Sequence, residues 1–121
     1  MKTRSLKESF TYAISGLKKT VISERNMKIH LSAAVCAVLL GFVLRINRTE
    51  WGLLLLTICI VIVAETLNTA IERTVDLVTE NYHPLAREAK NIAAGAVFFS
   101  ALIAVIIGLI VFGPYFLSWL L

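Results

Sequence analysis

The sequence WGLLLLTICIVIVA at residues 51–64 continues without a break into ETLNTAIERTVDLVTE at residues 65–80. The first part is almost entirely apolar, and the second part carries several carboxylates. No proline occurs in either part and no glycine follows Gly52, so the pattern predicts one helix of about 30 residues, over about 50–80. Its first half is suited to lipid and its second half leaves the lipid.

Two further apolar stretches flank this helix. LSAAVCAVLLGFVLRI at residues 31–46 is short for the ~20 residues that a span needs, so the residues before it are expected to extend the span to about 27–46. His83–Pro84 breaks the long helix, because proline disfavours helical backbone in the residue before it. A last span is predicted over about 84–113, ending near Gly113 and Pro114.

The composition agrees with a membrane protein. Hydrophobic residues make up 58% of the 121 residues, above the roughly 45–50% apolar residues of globular domains. The segment over about 4–22 has apolar residues near helical spacing with lysines largely elsewhere, which predicts an amphipathic helix on the membrane surface. We therefore predict a single all-α integral membrane domain over residues 1–121, with one surface helix and three transmembrane helices.

Basic residues predict the orientation in the membrane. Of the twelve Lys and Arg residues, all but Arg45 and Arg48 lie on the N-terminal side or between residues 73 and 90. The positive-inside rule then predicts that the N-terminus and the 73–90 region are cytoplasmic. The net charge is +4, but the basic residues flank apolar segments instead of forming one patch, which argues against nucleic-acid binding.

A polar stripe runs along the second half of the long helix. Its members are spaced 3, 4 and 4 residues apart and fall within an arc of roughly 80°; they are Glu65, Asn68, Glu72 and Asp76. Glu65 lies ~21 Å along the helix from Trp51, near the inner edge of a hydrocarbon layer ~30 Å thick. Ionisable residues at this depth usually mark function, and carboxylate oxygens suit magnesium.

Structural explanations of the stripe remain open at this point. Glu65 is also suited to a structural pairing with a neighbouring helix. Glu72 and Asp76 are suited to a solvated helix face with salt bridges to Arg73 or Lys90. His30 is expected to be a packed interfacial histidine more often than a ligand.

The segment ETLNTAIERTVDLVTENYHPLAREAKNIAAGAV at residues 65–97 resembles the signature region of the prokaryotic diacylglycerol kinase family, which includes undecaprenol kinases. The resemblance extends to SERNMKIH at residues 23–30 and to the amphipathic start, so it covers nearly the whole chain. ERN followed by IH, together with YHPLAREAK, is closer to the undecaprenol kinase branch. The resemblance implies magnesium-dependent transfer of phosphate from ATP to undecaprenol by a homotrimer in the bacterial inner (cytoplasmic) membrane.

The same resemblance implies roles for individual residues. Glu65 would be the general base for the lipid hydroxyl, Asn68 would help to hold that substrate, and Glu24 and Glu72 would ligate the magnesium bound to ATP. The remaining nucleotide contacts would come from Tyr12, Asp76, Asn81, Tyr82, His83, Lys90 and Asn91. Asn91 stands where the family often has aspartate, and Ser5 where the diacylglycerol kinase branch has arginine, so charge-dependent roles at both positions are in doubt.

Two alternatives follow from the same residues. One is a diacylglycerol kinase that makes phosphatidic acid. The other is a non-catalytic scaffold or channel subunit, in which the acidic stripe lines a pore or binds a partner helix. No phosphate-binding glycine loop is present, so Gly41, Gly95 and Gly108 are expected to allow close helix contacts, with Gly95 and Ala96 as the main candidates.

Overall fold

The computed structural model describes residues 3–121 as four helices. Helix α1 spans Leu6–Ser23, α2 spans Arg25–Leu44, α3 spans Arg48–Val78 and α4 spans Pro84–Leu120. The last three are each long and apolar enough to cross a membrane. The predicted all-α class with three long apolar helices is therefore confirmed.

Helix α1 begins with a capping box. The Glu8 amide donates to Ser5 Oγ over 3.2 Å, and the Ser5 amide donates to Glu8 Oε2 over 3.1 Å, so two amides that lack helical acceptors are satisfied. Leu6, Phe10 and Ile14 are all more than half exposed. The other residues of the described range 3–121 leave these side chains uncovered, as expected for a helix that lies on a membrane surface.

A short turn joins α2 to α3 and corrects two predicted boundaries. Arg45 adopts the left-handed conformation (φ 53°, ψ 53°) and ends α2 at Leu44, not near residue 46. Asn47 Oδ1 then accepts from the Glu50 amide over 2.9 Å, and Glu50 Oε1 accepts from the Asn47 amide over 3.0 Å. This cap starts α3 at Arg48, two residues before the predicted start, because the polar residues taken for a turn form the cap instead.

Close packing of α2 against α3 depends on Gly41. A Cβ atom at this position would lie 2.8 Å from Cη2 of Trp51 and 3.1 Å from Cδ1 of Ile46. A Cβ at Gly95 or at Gly108 would meet no atom of the described chain within 4 Å. Within the described chain, the close helix contact expected at Gly95 is found instead at Gly41.

Helix α4 continues beyond its predicted end near residue 113, through Pro114 to Leu120. Proline removes one amide donor, and a membrane helix tolerates this where its surroundings compensate for the loss. Before Pro114, Val111 is 1% exposed in a core cluster that includes Leu54 of α3. After Pro114, the Tyr115 hydroxyl lies 2.5 Å from Glu50 Oε1. Contacts with α3 on both sides thus hold the helix together across the proline.

The connection between α3 and α4 positions the polar end of both helices. Helix α3 ends at Val78, and Pro84 takes the first position of α4. His83 Nδ1 accepts from the Leu85 amide over 3.1 Å and so caps α4. Helix α3 packs against α4, and the ion pair of Asp76 with Lys90 places the acidic half of α3 beside the start of α4.

Candidate functional site

Glu65 is a buried carboxylate in an apolar helix. Its side chain is 1% exposed, and Oε2 accepts no hydrogen bond from residues 3–121. Nε2 of His30 on α2 lies 3.6 Å from this oxygen, an ion pair only when the imidazole is protonated. Burial of a polar atom without a partner is costly, so the arrangement is typical of a site that receives a further group.

Asn68 and Glu72 continue the polar stripe from Glu65. Asn68 is 6% exposed and donates through Nδ2 to Glu72 Oε1 over 3.4 Å, while its Oδ1 has no hydrogen-bond partner in the described chain. All three side chains line a cavity of about 330 Å³, which we call the polar cavity; its other lining residues are Asn26, Ile29, His30, Ala94, Val97, Phe98 and Ala101. The predicted stripe therefore faces a single cavity.

Glu24 lies at the junction of α1 and α2, close to the stripe. Arg73 Nη2 is 3.5 Å from Glu24 Oε1 and donates to Ser23 Oγ over 2.7 Å, so Arg73 fixes this junction against α3. Glu24 and Glu72 are both near enough to Glu65 to interact with it electrostatically. The fold thus brings Glu24, from a distant part of the sequence, near the stripe of α3 that carries Glu65 and Glu72.

The donor set suits a magnesium ion only when the ion arrives with a phosphate. Within residues 3–121, no group of three or more His, Cys, Asp or Glu side chains is arranged to hold a metal by itself. Magnesium usually keeps several waters and is held by one or two carboxylates together with substrate phosphates. The unpaired Glu65 Oε2 and Asn68 Oδ1 beside two further carboxylates fit that mode of binding.

A second cavity, of about 260 Å³, lies where α3 turns into α4. We call it the turn cavity. It brings together the predicted nucleotide residues Asn81, Tyr82, His83, Lys90 and Asn91. Lys90 Nζ lies 2.6 Å from Oδ1 of Asp76, and both side chains are partly exposed. The salt-bridge alternative considered for Asp76 is therefore observed, whereas Glu72 pairs with Asn68 and not with Lys90 or Arg73.

The turn cavity and the polar cavity are neighbours along α3. Glu72 lines the polar cavity and Val75 lines the turn cavity. Three residues of helix separate these positions by ~4.5 Å along the axis. An elongated ligand bound in the turn cavity therefore needs to extend only about one helical turn to reach the carboxylates.

Tyr12 is the predicted site residue that the fold does not bring to the others. It is 57% exposed on α1, the Arg4 guanidinium lies 4.7 Å from its ring centroid, and it lines neither of the two cavities in the described part of the chain. Its nucleotide contact remains a prediction. His30, by contrast, was not predicted as a site residue. A histidine directly before the apolar stretch of α2 is the sequence signal that points to it.

Comparison with known proteins gives a consistent result. Residues 11–112 match the family model described as prokaryotic diacylglycerol kinase. The chain is 45% identical to the undecaprenol kinase of Bacillus subtilis (strain 168) over 107 residues, covering 88% of this chain and 87% of that protein. It is 42% identical to the diacylglycerol kinase of Synechocystis sp. over 83% of this chain and 58% of that protein. It is 31% identical to the diacylglycerol kinase of Escherichia coli (strain K12) over 87% and 86% of the two chains.

Proposed function

The chain belongs to the prokaryotic diacylglycerol kinase family and is a lipid kinase of a bacterial membrane, and from this premise we propose that it transfers the γ-phosphate of ATP to undecaprenol. The observation that carries this proposal is the buried Oε2 of Glu65, which has no hydrogen-bond partner among residues 3–121 and lies in a cavity that Glu65 shares with Asn68 and Glu72. Such a cavity, at the point where α3 changes from apolar to charged, suits a reaction between a membrane alcohol and a charged nucleotide.

Glu65 acts as the general base in the proposed reaction. Its carboxylate takes the hydroxyl proton as the lipid oxygen forms a bond to the γ-phosphorus, while the bond from that phosphorus to the β–γ bridging oxygen breaks and ADP leaves. Phosphoryl transfer depends mainly on positioning and charge stabilisation, so few protein groups are required. Asn68, one turn from the base, orients the acceptor through its free Oδ1.

Glu24 and Glu72 are the proposed ligands of the magnesium ion that accompanies ATP. The ion, when bound, neutralises charge on the phosphates. The chain itself contributes two carboxylates and the Arg73 contact that keeps Glu24 beside α3. Hard oxygen ligands of this kind suit magnesium.

The nucleotide is proposed to occupy the turn cavity, with its phosphates directed towards Glu72. Lys90 supplies a compact positive charge for the phosphates, and Asp76 holds the lysine ammonium in position over 2.6 Å. Asn81, Tyr82, His83 and Asn91 line the same cavity and supply hydrogen-bonding groups. Tyr12 is proposed to contact nucleotide from the surface helix, in line with the family resemblance.

We propose undecaprenol, and not diacylglycerol, as the lipid substrate. The sequence identity is 45% to the B. subtilis undecaprenol kinase, against 42% to the Synechocystis diacylglycerol kinase and 31% to the E. coli diacylglycerol kinase. The test is phosphate transfer from radiolabelled ATP to each alcohol in mixed micelles, at equal mole fractions. Faster transfer to undecaprenol is expected. Faster transfer to diacylglycerol would contradict the proposed substrate, and no transfer to either alcohol would favour the scaffold or channel alternative.

The proposed assembly is a homotrimer in the bacterial inner membrane, with the N-terminus and the turn cavity on the cytoplasmic side. Most of the basic residues lie on that side, and ATP is available there. Three membrane helices supply little wall for a site that admits both ATP and a long lipid, so a neighbouring subunit is proposed to complete it. The exposed position of Tyr12 is compatible with a contact across subunits.

A further inference from the structure

A single residue joins α1 to α2. Helix α1 ends at Ser23 and α2 begins at Arg25, so Glu24 alone lies between them, with an extended backbone (φ −101°, ψ 118°). A residue in this position acts as a hinge, because a change in its two backbone dihedrals swings one helix relative to the other. Glu24 is also a proposed magnesium ligand. A movement of α1 about this hinge therefore also moves a carboxylate that would hold the ion.

Packing of α1 does little to fix the hinge. Thr20 is the one residue of α1 that is buried by the other residues of the range 3–121, and its hydroxyl donates to the Gly16 carbonyl within α1 itself. Ile22, at the end of α1, is 63% exposed. The Glu24 carboxylate makes no capping hydrogen bond to α2 within the described chain. The direction of the Glu24 side chain must therefore be set by a group outside α1 and α2.

Arg73 on α3 contacts both sides of the hinge. Its Nη2 donates to Ser23 Oγ over 2.7 Å and lies 3.5 Å from Glu24 Oε1. The Ser23 hydroxyl in turn donates to Glu24 Oε1 over 3.5 Å. A planar guanidinium with several donors is suited to holding two neighbouring groups at once. We propose that Arg73 is a positioning residue for the magnesium site, which locks the hinge through Ser23 and so holds the Glu24 carboxylate in place.

This inference rests on the proposed function, and the position of Arg73 in the sequence explains its effect on the ion. Arg73 directly follows Glu72, so one turn of α3 carries the second proposed ligand and the group that holds the first. The separation of the two carboxylates then depends on one side chain of α3. Without Arg73 it would depend on how α1 lies on the lipid surface, which the exposed apolar residues of α1 follow. Arg73 thus couples the surface helix to the magnesium site.

The two contact distances distinguish positioning from competition for the carboxylate. A charged nitrogen that donates directly to a carboxylate does so over about 2.7–2.9 Å. The contact of Arg73 with Ser23 is this short, whereas its contact with Glu24 is longer. The serine hydroxyl is therefore the main anchor, and the Glu24 carboxylate remains available to a cation. Removal of a competitor would strengthen cation binding, but removal of a positioning residue weakens it.

The substitution Arg73→Met tests the proposal by removing the guanidinium from an unbranched side chain. Binding of Mn²⁺ is measured by electron paramagnetic resonance on the purified enzyme with β,γ-methylene ATP, so the readout does not depend on turnover. Loss of a group that orients a metal ligand typically weakens metal binding roughly 10–100-fold, and Arg73→Met should weaken Mn²⁺ binding roughly tenfold or more. Arg25→Met is the matched control, because it removes a positive charge beside the hinge from an exposed position and should not weaken binding.

Two further variants test the route through the serine. Ser23→Ala removes the 2.7 Å contact and should reproduce part of the weakening. The double variant Ser23→Ala/Arg73→Met should bind Mn²⁺ no more weakly than Arg73→Met alone, because both changes remove the same contact. Cleavage after Glu24 by glutamyl endopeptidase in micelles reports opening of the hinge. It should be faster in Arg73→Met and Ser23→Ala than in the unmodified enzyme and Arg25→Met.

Several results would overturn the proposal. Unchanged or tighter Mn²⁺ binding in Arg73→Met would do so, and tighter binding would show that Arg73 competes for Glu24. Equal weakening in Arg25→Met would show a general effect of charge. Additive effects of Ser23→Ala and Arg73→Met would show that Arg73 does not act through Ser23. The proposed function fails separately, if the unmodified enzyme transfers no phosphate to undecaprenol.

Discussion

Replacing Gly41 by alanine tests whether α2 and α3 pack as closely as the structure indicates. The added Cβ would lie 2.8 Å from Cη2 of Trp51, closer than such atoms can approach. The indole must therefore move, although its ring also packs against Phe42 with 4.8 Å between centroids. Overpacking of this kind costs about 1–3 kcal/mol, while exchange of helical glycine for alanine stabilises by about 0.8–1.0 kcal/mol. The net effect is a destabilisation of up to about 2 kcal/mol.

The control for this prediction is Gly52→Ala, at an exposed position where the new Cβ meets nothing within 4 Å in the described chain. This variant gains the helix propensity without the clash, so the two variants should differ by about 1–3 kcal/mol in free energy of unfolding. The assay is reversible unfolding in mixed micelles of increasing dodecyl sulfate content, followed by tryptophan fluorescence. Trp51 lies at the proposed clash, so its emission in the folded state should change only in Gly41→Ala.

Equal unfolding free energies for the two alanine variants would refute the close packing at Gly41. An unaltered tryptophan emission spectrum of folded Gly41→Ala would also refute this close packing. Either result would imply that α2 lies further from α3 than the structure has it, and the distance between His30 and Glu65 would then need revision.

Two further predictions concern the site. Lys90→Met should raise the KM for ATP roughly tenfold or more, because a charged hydrogen bond to phosphate is lost, and the lipid KM should stay unchanged. Lys7→Met on α1 is the control. A parallel rise in the KM for ATP and the KM for lipid would contradict the assignment of Lys90 to the nucleotide. His30→Leu should lower kcat, since Glu65 loses its polar neighbour and a misplacement of about 1 Å can cost roughly a hundredfold. His30→Gln should restore part of that loss, and equal activity of the two His30 variants would exclude a polar role.

The arrangement of the acidic stripe was predictable because helix geometry alone determines it. Residues spaced 3 and 4 apart share a face, so Glu65, Asn68 and Glu72 had to line one side of α3. The break at Pro84 was equally local, because proline restricts the residue before it. The other residues that line the polar cavity could not be predicted from local sequence. They depend on where α2 and α4 pack against α3.

Contacts between helices explain what the sequence could not reveal. The approach of His30 to Glu65 depends on how α2 packs beside α3, and that packing depends on the close contact at Gly41. Helix α4 continues past Pro114, and there the Tyr115 contact with Glu50 joins residues 65 positions apart. A local rule for proline predicted an end that tertiary contacts override.

The central claim is that Glu65 removes the proton from the lipid hydroxyl, and turnover of Glu65→Gln measures it most directly. Glutamine keeps the size of the side chain but cannot act as the base. Purified Glu65→Gln in mixed micelles with undecaprenol and magnesium ATP should lose roughly 10²–10⁴-fold in kcat, with unfolding behaviour and ATP binding retained. Glu88→Gln, at an exposed position on α4, should keep full activity. Turnover by Glu65→Gln close to that of the unmodified enzyme would contradict the account.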